Sequence, residues 1–144
     1  MNNKALKQKI YEIMKANQFS VMATISEDGK PWARYIACKS SDDLTIRFAT
    51  YADSRKIIHI KYNPEVHFTM GSDATGYMSA YLQIQGTAKV LDSKEAKESF
   101  WSESLKYFFK DKTDPQYVVV EVKPYYIEYW HNTREPEILD LRNP

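Results

Sequence analysis

Hydrophobic and polar residues alternate at every second position through most of this chain, and three stretches lengthen to a helical period. Leu6, Ile10, Ile13 and Met14 share one stripe with lysines opposite, which predicts an N-terminal helix that Asn3 can cap. Phe19 to Ile25 reads as a strand. Ser26-Glu27-Asp28-Gly29 suits a tight reversal, and Pro31 to Lys39 returns as a second strand. Ser40 to Asp43 makes the next turn, and Leu44 to Thr50 is a third strand. A short helix follows from about Ser54 to Tyr62, stopped at Asn63-Pro64 because the residue before proline avoids helical geometry. Val66 to Met70 is a fourth strand. After a loop around Gly71 to Gly76, a long fifth strand runs from roughly Met78 to Val90, with a bulge or bend at Gly86. Asp92-Ser93 caps a helix from about Lys94 to Tyr107. Tyr117 to Val122 is a sixth strand, broken by Pro124, and Tyr125 to Trp130 a seventh; the polar tail after His131 shows no strong period.

This order predicts a mainly β fold: an antiparallel barrel of six to seven strands with helical caps, in one domain spanning residues 1–144. A formal charge of +1 gives no bulk reason to expect nucleic acid or an anionic membrane as partner. No window approaches roughly 18 continuous apolar residues. The N-terminus MNNKALKQKI lacks the apolar centre of a signal peptide, so a cytoplasmic protein is expected. Cys38 has no second cysteine to pair with. Four glycines leave no glycine-rich nucleotide loop, while eleven tyrosines, six phenylalanines and three tryptophans suit strands, interfaces and planar ligands alike.

The segment from Thr50 to Lys56, TYADSRK, carries the densest chemistry. Two hydroxyls (Thr50, Ser54), the Arg55 guanidinium and the Lys56 ammonium gather where a strand gives way to a helix. The helix N–H groups and dipole would face the same place, which suits a phosphate dianion. The same residues also fit an ordinary helix cap followed by two solvated cations. Arg34 stands mid-strand among apolar residues, turned either to solvent or toward a carboxylate or ligand. Lys39 closes that strand. A spacing of five puts Arg34 and Lys39 on opposite faces of a regular strand, so one ligand reaches both only at a bulge or strand end. Trp130 could stack beside a flavin or base, or cover a core or interface. The three histidines and Cys38 show no metal-ligand spacing, and no nucleophile–base pattern supports hydrolysis.

Taken in order, these segments resemble the pyridoxamine 5′-phosphate oxidase-like split barrels that bind flavin mononucleotide (FMN), with the general stress protein branch nearest in pattern. The resemblance runs from about Phe19 to Trp130. It rests on FSVMATI, SEDGKP, WARYIACK, LTIRFAT, the Ser54-Arg55-Lys56 helix start, Asn63-Pro64, YLQIQGTAKV and YYIEYW. It implies a homodimer with FMN at the subunit interface. Thr50, Ser54, Arg55 and Lys56 would hold the phosphate. Arg34 and the backbone of Tyr35, Ile36 and Ala37 would line the ribityl chain and ring edge, with Lys39 at the substrate side and Trp130 reaching in from the other subunit. Two departures stand out. Tyr81 occupies the place of a glutamine in the oxidase, and the tail HNTREPEILDLRNP does not reproduce the pyridoxal-phosphate-binding motif. Vitamin B6 oxidation therefore lacks its residues. Three functions fit: an FMN oxidoreductase acting on an unknown small molecule, a non-catalytic flavin-binding or stress-linked protein, and a structural dimer with no flavin.

Overall fold

The computed structural model describes residues 1–71, 80–131 and 134–143. The N-terminal stripe forms α1 (Asn3–Ala16), buried through Leu6, Ile10 and Met14. Its cap is Asn2 rather than Asn3, with Asn2 Oδ1 accepting the Ala5 N–H at 2.8 Å. β1 (Phe19–Ile25) and β2 (Pro31–Ala37) form a hairpin whose turn places Gly29 at φ +78, where a side chain would be strained. The strand expected to run to Lys39 stops at Ala37. At Cys38, whose N–H bonds Gln18 O at 2.7 Å, the chain leaves β1 and enters β3 (Lys39–Ser40), which pairs instead with β4 (Ile46–Tyr51). Leu44 belongs to the intervening turn, at φ 72, so the third strand starts later than its hydrophobicity suggests.

α2 (Arg55–Tyr62) follows, then β5 (Glu65–Met70) and β6 (Tyr81–Leu91); the expected start of β6 at Met78 and the loop before it fall outside the described residues, Gly71 excepted. The single helix expected from Lys94 to Tyr107 is two pieces. α3 (Lys94–Phe100) ends where Trp101 turns extended, at ψ 136, to pack edge-on against Tyr117, and a short 3₁₀ turn (Glu103–Tyr107) follows. β7 (Tyr117–Trp130) is continuous through Pro124. Proline is tolerated because the β6–β7 register shifts between Gln85 and Gly86: Gly86 pairs with Pro124 and Gln85 with Tyr126, so the ladder is already interrupted there. The tail is not featureless, since β8 (Glu137–Asp140) adds to β7 and buries Leu139.

All pairings are antiparallel in an eight-stranded sheet of order β2-β1-β5-β6-β7-β4-β3, with β8 also on β7. The first and last strands of that order are joined through Cys38 alone. One residue spans less than about 4 Å, so the sheet must curl until its two edges nearly meet. Met22, Phe48, Phe68, Ile84, Val120 and Ile127 fill the inside of the curl, completely buried. A second, smaller core (Phe109, Tyr117, Val119) lies between β7 and the α3–3₁₀ segment.

The bulge fixes the bend of the two longest strands. A methyl group on Gly86 would lie 2.8 Å from Val122 Cγ1 and 3.1 Å from Lys123 O. Gly86→Ala is therefore expected to cost about 1–3 kcal/mol, read as a melting temperature lowered by several degrees. An unchanged melt would mean that the β6–β7 kink has room for a side chain.

Candidate functional site

β4 ends at Thr50-Tyr51 and turns through Ala52-Asp53, held by Ala52 N–H to Gln116 O at 2.9 Å and Ser54 N–H to Tyr51 O at 3.0 Å. Ser54 takes the extended geometry of an N-cap, yet its hydroxyl caps no helix N–H. It sits 3.2 Å from Thr50 Oγ1, which also accepts from Lys56 Nζ at 2.9 Å. The first turn of α2 thus keeps its N–H groups clear of its own cap side chain, while a hydroxyl pair and an ammonium gather over the strand end.

Arg34 lies close enough to Lys56 and Arg55 for their charges to oppose one another. Partial burial, then the Arg55 charge, lowers the Arg34 pKa from its ordinary value; burial, then the Arg34 charge, lowers that of Lys56. Among the described residues no carboxylate lies within ion-pair distance of any of the three. Arg55, the most exposed, lays its guanidinium 4.3 Å above the Trp32 ring. Such a cluster disfavours its own charge and favours an incoming anion.

Beside it opens a cavity of about 420 Å³, lined on the β side by Tyr35, Ile36, Ala37, Cys38, Lys39 and Thr50, and by Lys56 from α2. Phe100, Leu105, Phe108 and Phe109 from the α3–3₁₀ segment form an aromatic and aliphatic wall across from them. The break at Cys38 also answers the spacing problem of Arg34 and Lys39: Lys39 belongs to another strand, paired with Arg47, and its ammonium lies 5.7 Å from the Phe100 ring centre. Tyr35, 70% exposed, stacks on Phe19, 67% exposed, at 5.4 Å on the outer surface, so an apolar aromatic pair faces outward next to the cavity.

The residues singled out from the sequence therefore divide. Tyr35, Ile36, Ala37, Lys39, Thr50 and Lys56 share the cavity. Ser54 joins them through Thr50, and Arg34 and Arg55 stand beside them. Trp130 is not brought there within one chain. Thr50 pairs with Val118, and Trp130 lies twelve residues further along β7, about 40 Å of strand contour. There it stacks on Tyr81 at 6.1 Å, with its indole N–H on Glu128 at 3.0 Å. The sequence reading missed Thr24, His59 and the wall from Phe100 to Phe109. The two polar residues carried a signal: Thr24 occupies an inward position of β1, and His59 stands between Ile57 and Ile60 on the buried side of α2.

Burial pushes the Cys38 thiol up to about 11. At pH ~8 its thiolate fraction, and so its reaction with an alkylating reagent, should be about 100-fold below that of an unperturbed thiol, rising with pH up to that value. Alkylation as fast as that of a small free thiol would contradict the buried, desolvated placement of Cys38.

Comparison with known proteins bears on this site. The chain matches the family model described as pyridoxamine 5′-phosphate oxidase over residues 6–131. It is 36% identical over 124 residues to General stress protein 26 of Bacillus subtilis (strain 168), covering 86% of this chain and 87% of that protein. The crystal structure of General Stress Protein 26 from Bacillus anthracis str. Sterne superposes with a TM-score of 0.79 at 31% identity, over 94% of this chain and 98% of that one. A pyridoxine/pyridoxamine 5′-phosphate oxidase of Blochmanniella floridana is 30% identical over 81 residues, 56% of this chain and 36% of that protein.

Proposed function

The chain belongs to the pyridoxamine 5′-phosphate oxidase family, and from that premise we propose that it binds FMN between two copies of itself and acts as a small flavin oxidoreductase. One observation carries the reading: Arg34 stands against Arg55 and Lys56 at the start of α2 and is repelled by both, with no carboxylate among the described residues within ion-pair distance, beside a cavity of about 420 Å³. A terminal phosphate supplies the missing charge, and the cavity falls within the size range of small-ligand sites.

Lys56 and Arg55 would bind the phosphate, with the Thr50 and Ser54 hydroxyls orienting it, and Arg34 beside them would reach the ribityl chain and ring edge. The backbone from Tyr35 to Ala37, on the cavity rim, would meet the ribityl chain and ring edge, and Lys39 would face the substrate side. Trp130, stacked on Tyr81 and remote from its own Thr50, would wall in the ring of a neighbouring subunit's flavin. The outward Phe19–Tyr35 pair gives such a neighbour an apolar surface to cover. When bound, FMN would supply hydride or electron transfer.

A second reading, flavin binding without turnover, is favoured by the cavity's lining. Among the described residues no carboxylate or imidazole lines it, and its thiol is pushed up to about 11. Neither reading gives a reason to expect vitamin B6 as substrate.

The protein as purified should absorb at about 450 nm if flavin travels with it. The Arg55→Ala, Lys56→Ala double variant should weaken FMN at least about 100-fold, at ~1.5–3 kcal/mol per charged hydrogen bond, and leave riboflavin, which has no phosphate, unchanged. Equal loss for both ligands, or no FMN binding by the wild type, would overturn the assignment. Bleaching by NAD(P)H with turnover separates oxidoreductase from carrier.

A further inference from the structure

Arg34 is held before any ligand arrives. Its Nη1 donates to Thr24 Oγ1 at 2.7 Å, to Trp32 O at 3.1 Å and, more weakly, to Met22 O at 3.4 Å. Its Nε and Nη2 have no partner among the described residues. One edge of the guanidinium is fixed while the other stays open, as a preformed anion or carbonyl ligand requires.

The tether continues inward. Thr24 is 1% exposed and His59 3%, and Thr24 Oγ1 lies 2.8 Å from His59 Nδ1. A guanidinium only donates, so Thr24 accepts from Arg34, and its oxygen keeps a proton and a second lone pair with which to bond His59 Nδ1. A barrel interior filled by Met22, Phe68 and Ile84 needs no hydroxyl–imidazole pair for stability, and burying one is costly unless both partners are satisfied. What the pair adds is a fixed bearing for Arg34. His59 also sits on the helix that carries Arg55 and Lys56, so a single element sets the position of all three cations.

We propose that Thr24 and His59 are positioning residues of the ligand site: His59 orients the Thr24 hydroxyl, which anchors Arg34 with Nε and Nη2 turned to the ligand. This rests on the flavin reading and extends it to two residues that touch no ligand.

The test is an FMN titration followed by flavin fluorescence on folded wild type and variants. Thr24→Val, which keeps the shape and removes the hydroxyl, should weaken FMN about tenfold, and Thr24→Ser should restore it to within about twofold. Arg34→Ala should also weaken FMN, and adding Thr24→Val to it should bring no further loss, because the hydroxyl acts only through Arg34. His59→Leu should follow Thr24→Val in direction, while His59→Asn, whose side-chain amide can bond the Thr24 hydroxyl in place of Nδ1, should not; this pair carries the comparison if Thr24→Val does not fold. Wild-type affinity in Thr24→Val, or multiplied losses in the double variant, would overturn the positioning role and leave the flavin reading intact. A wild type that binds no FMN would overturn both.

Discussion

Positive charges repel, and this fold holds three of them together where α2 begins. Lys56 is drawn over the strand end by Thr50, Arg34 is pinned by Thr24 and two carbonyls, and Arg55 rests on Trp32. Burial and mutual repulsion lower the pKa of both Arg34 and Lys56. A protein that needed only a helix start there could set a carboxylate among them, as it does at Arg47–Glu121, where the ion pair closes at 3.0 Å. With no carboxylate among the described residues to balance it, the cluster is suited to an anion.

The rest of the architecture brings those cations to an opening. Because β2 and β3 are separated by Cys38 alone yet stand at opposite ends of the strand order, the sheet curls to bring its edges together without pairing them. The cavity lies along that seam, with Tyr35 to Lys39 as one wall. The Gly86–Pro124 bulge bends the two longest strands around the core, and the break at Trp101 sends Phe108 and Phe109 back over the opposite side. The breaks at Cys38 and Trp101 therefore shape the cavity's two walls.

Much of this was legible in the residues. Alternation located the strands, Asp28-Gly29 the hairpin, Gly86 the bulge and TYADSRK much of the cation cluster, because each rests on local physics: period, positive φ, missing Cβ, clustered charge. Local pattern failed where a distant partner decides. Pro124 reads as a break until it is seen opposite the bulge, and β8 has no strong period because only Leu139 on it is buried. Lys39 shifts strands because Cys38 N–H finds Gln18. The link between Thr24 and His59 was not legible, since hydrogen bonds joining β1, β2 and α2 leave no spacing signature.

The central claim is that an incoming dianion offsets the positive charge that burial and repulsion disfavour at Arg34 and Lys56. Binding should then raise the depressed Lys56 pKa, so in the alkaline range where the free ammonium loses its proton the complex takes protons up. Calorimetric titration of FMN in two alkaline buffers of different ionisation enthalpy measures that uptake directly. The account predicts net proton uptake on binding that disappears in Lys56→Met; no uptake, or release, would contradict it.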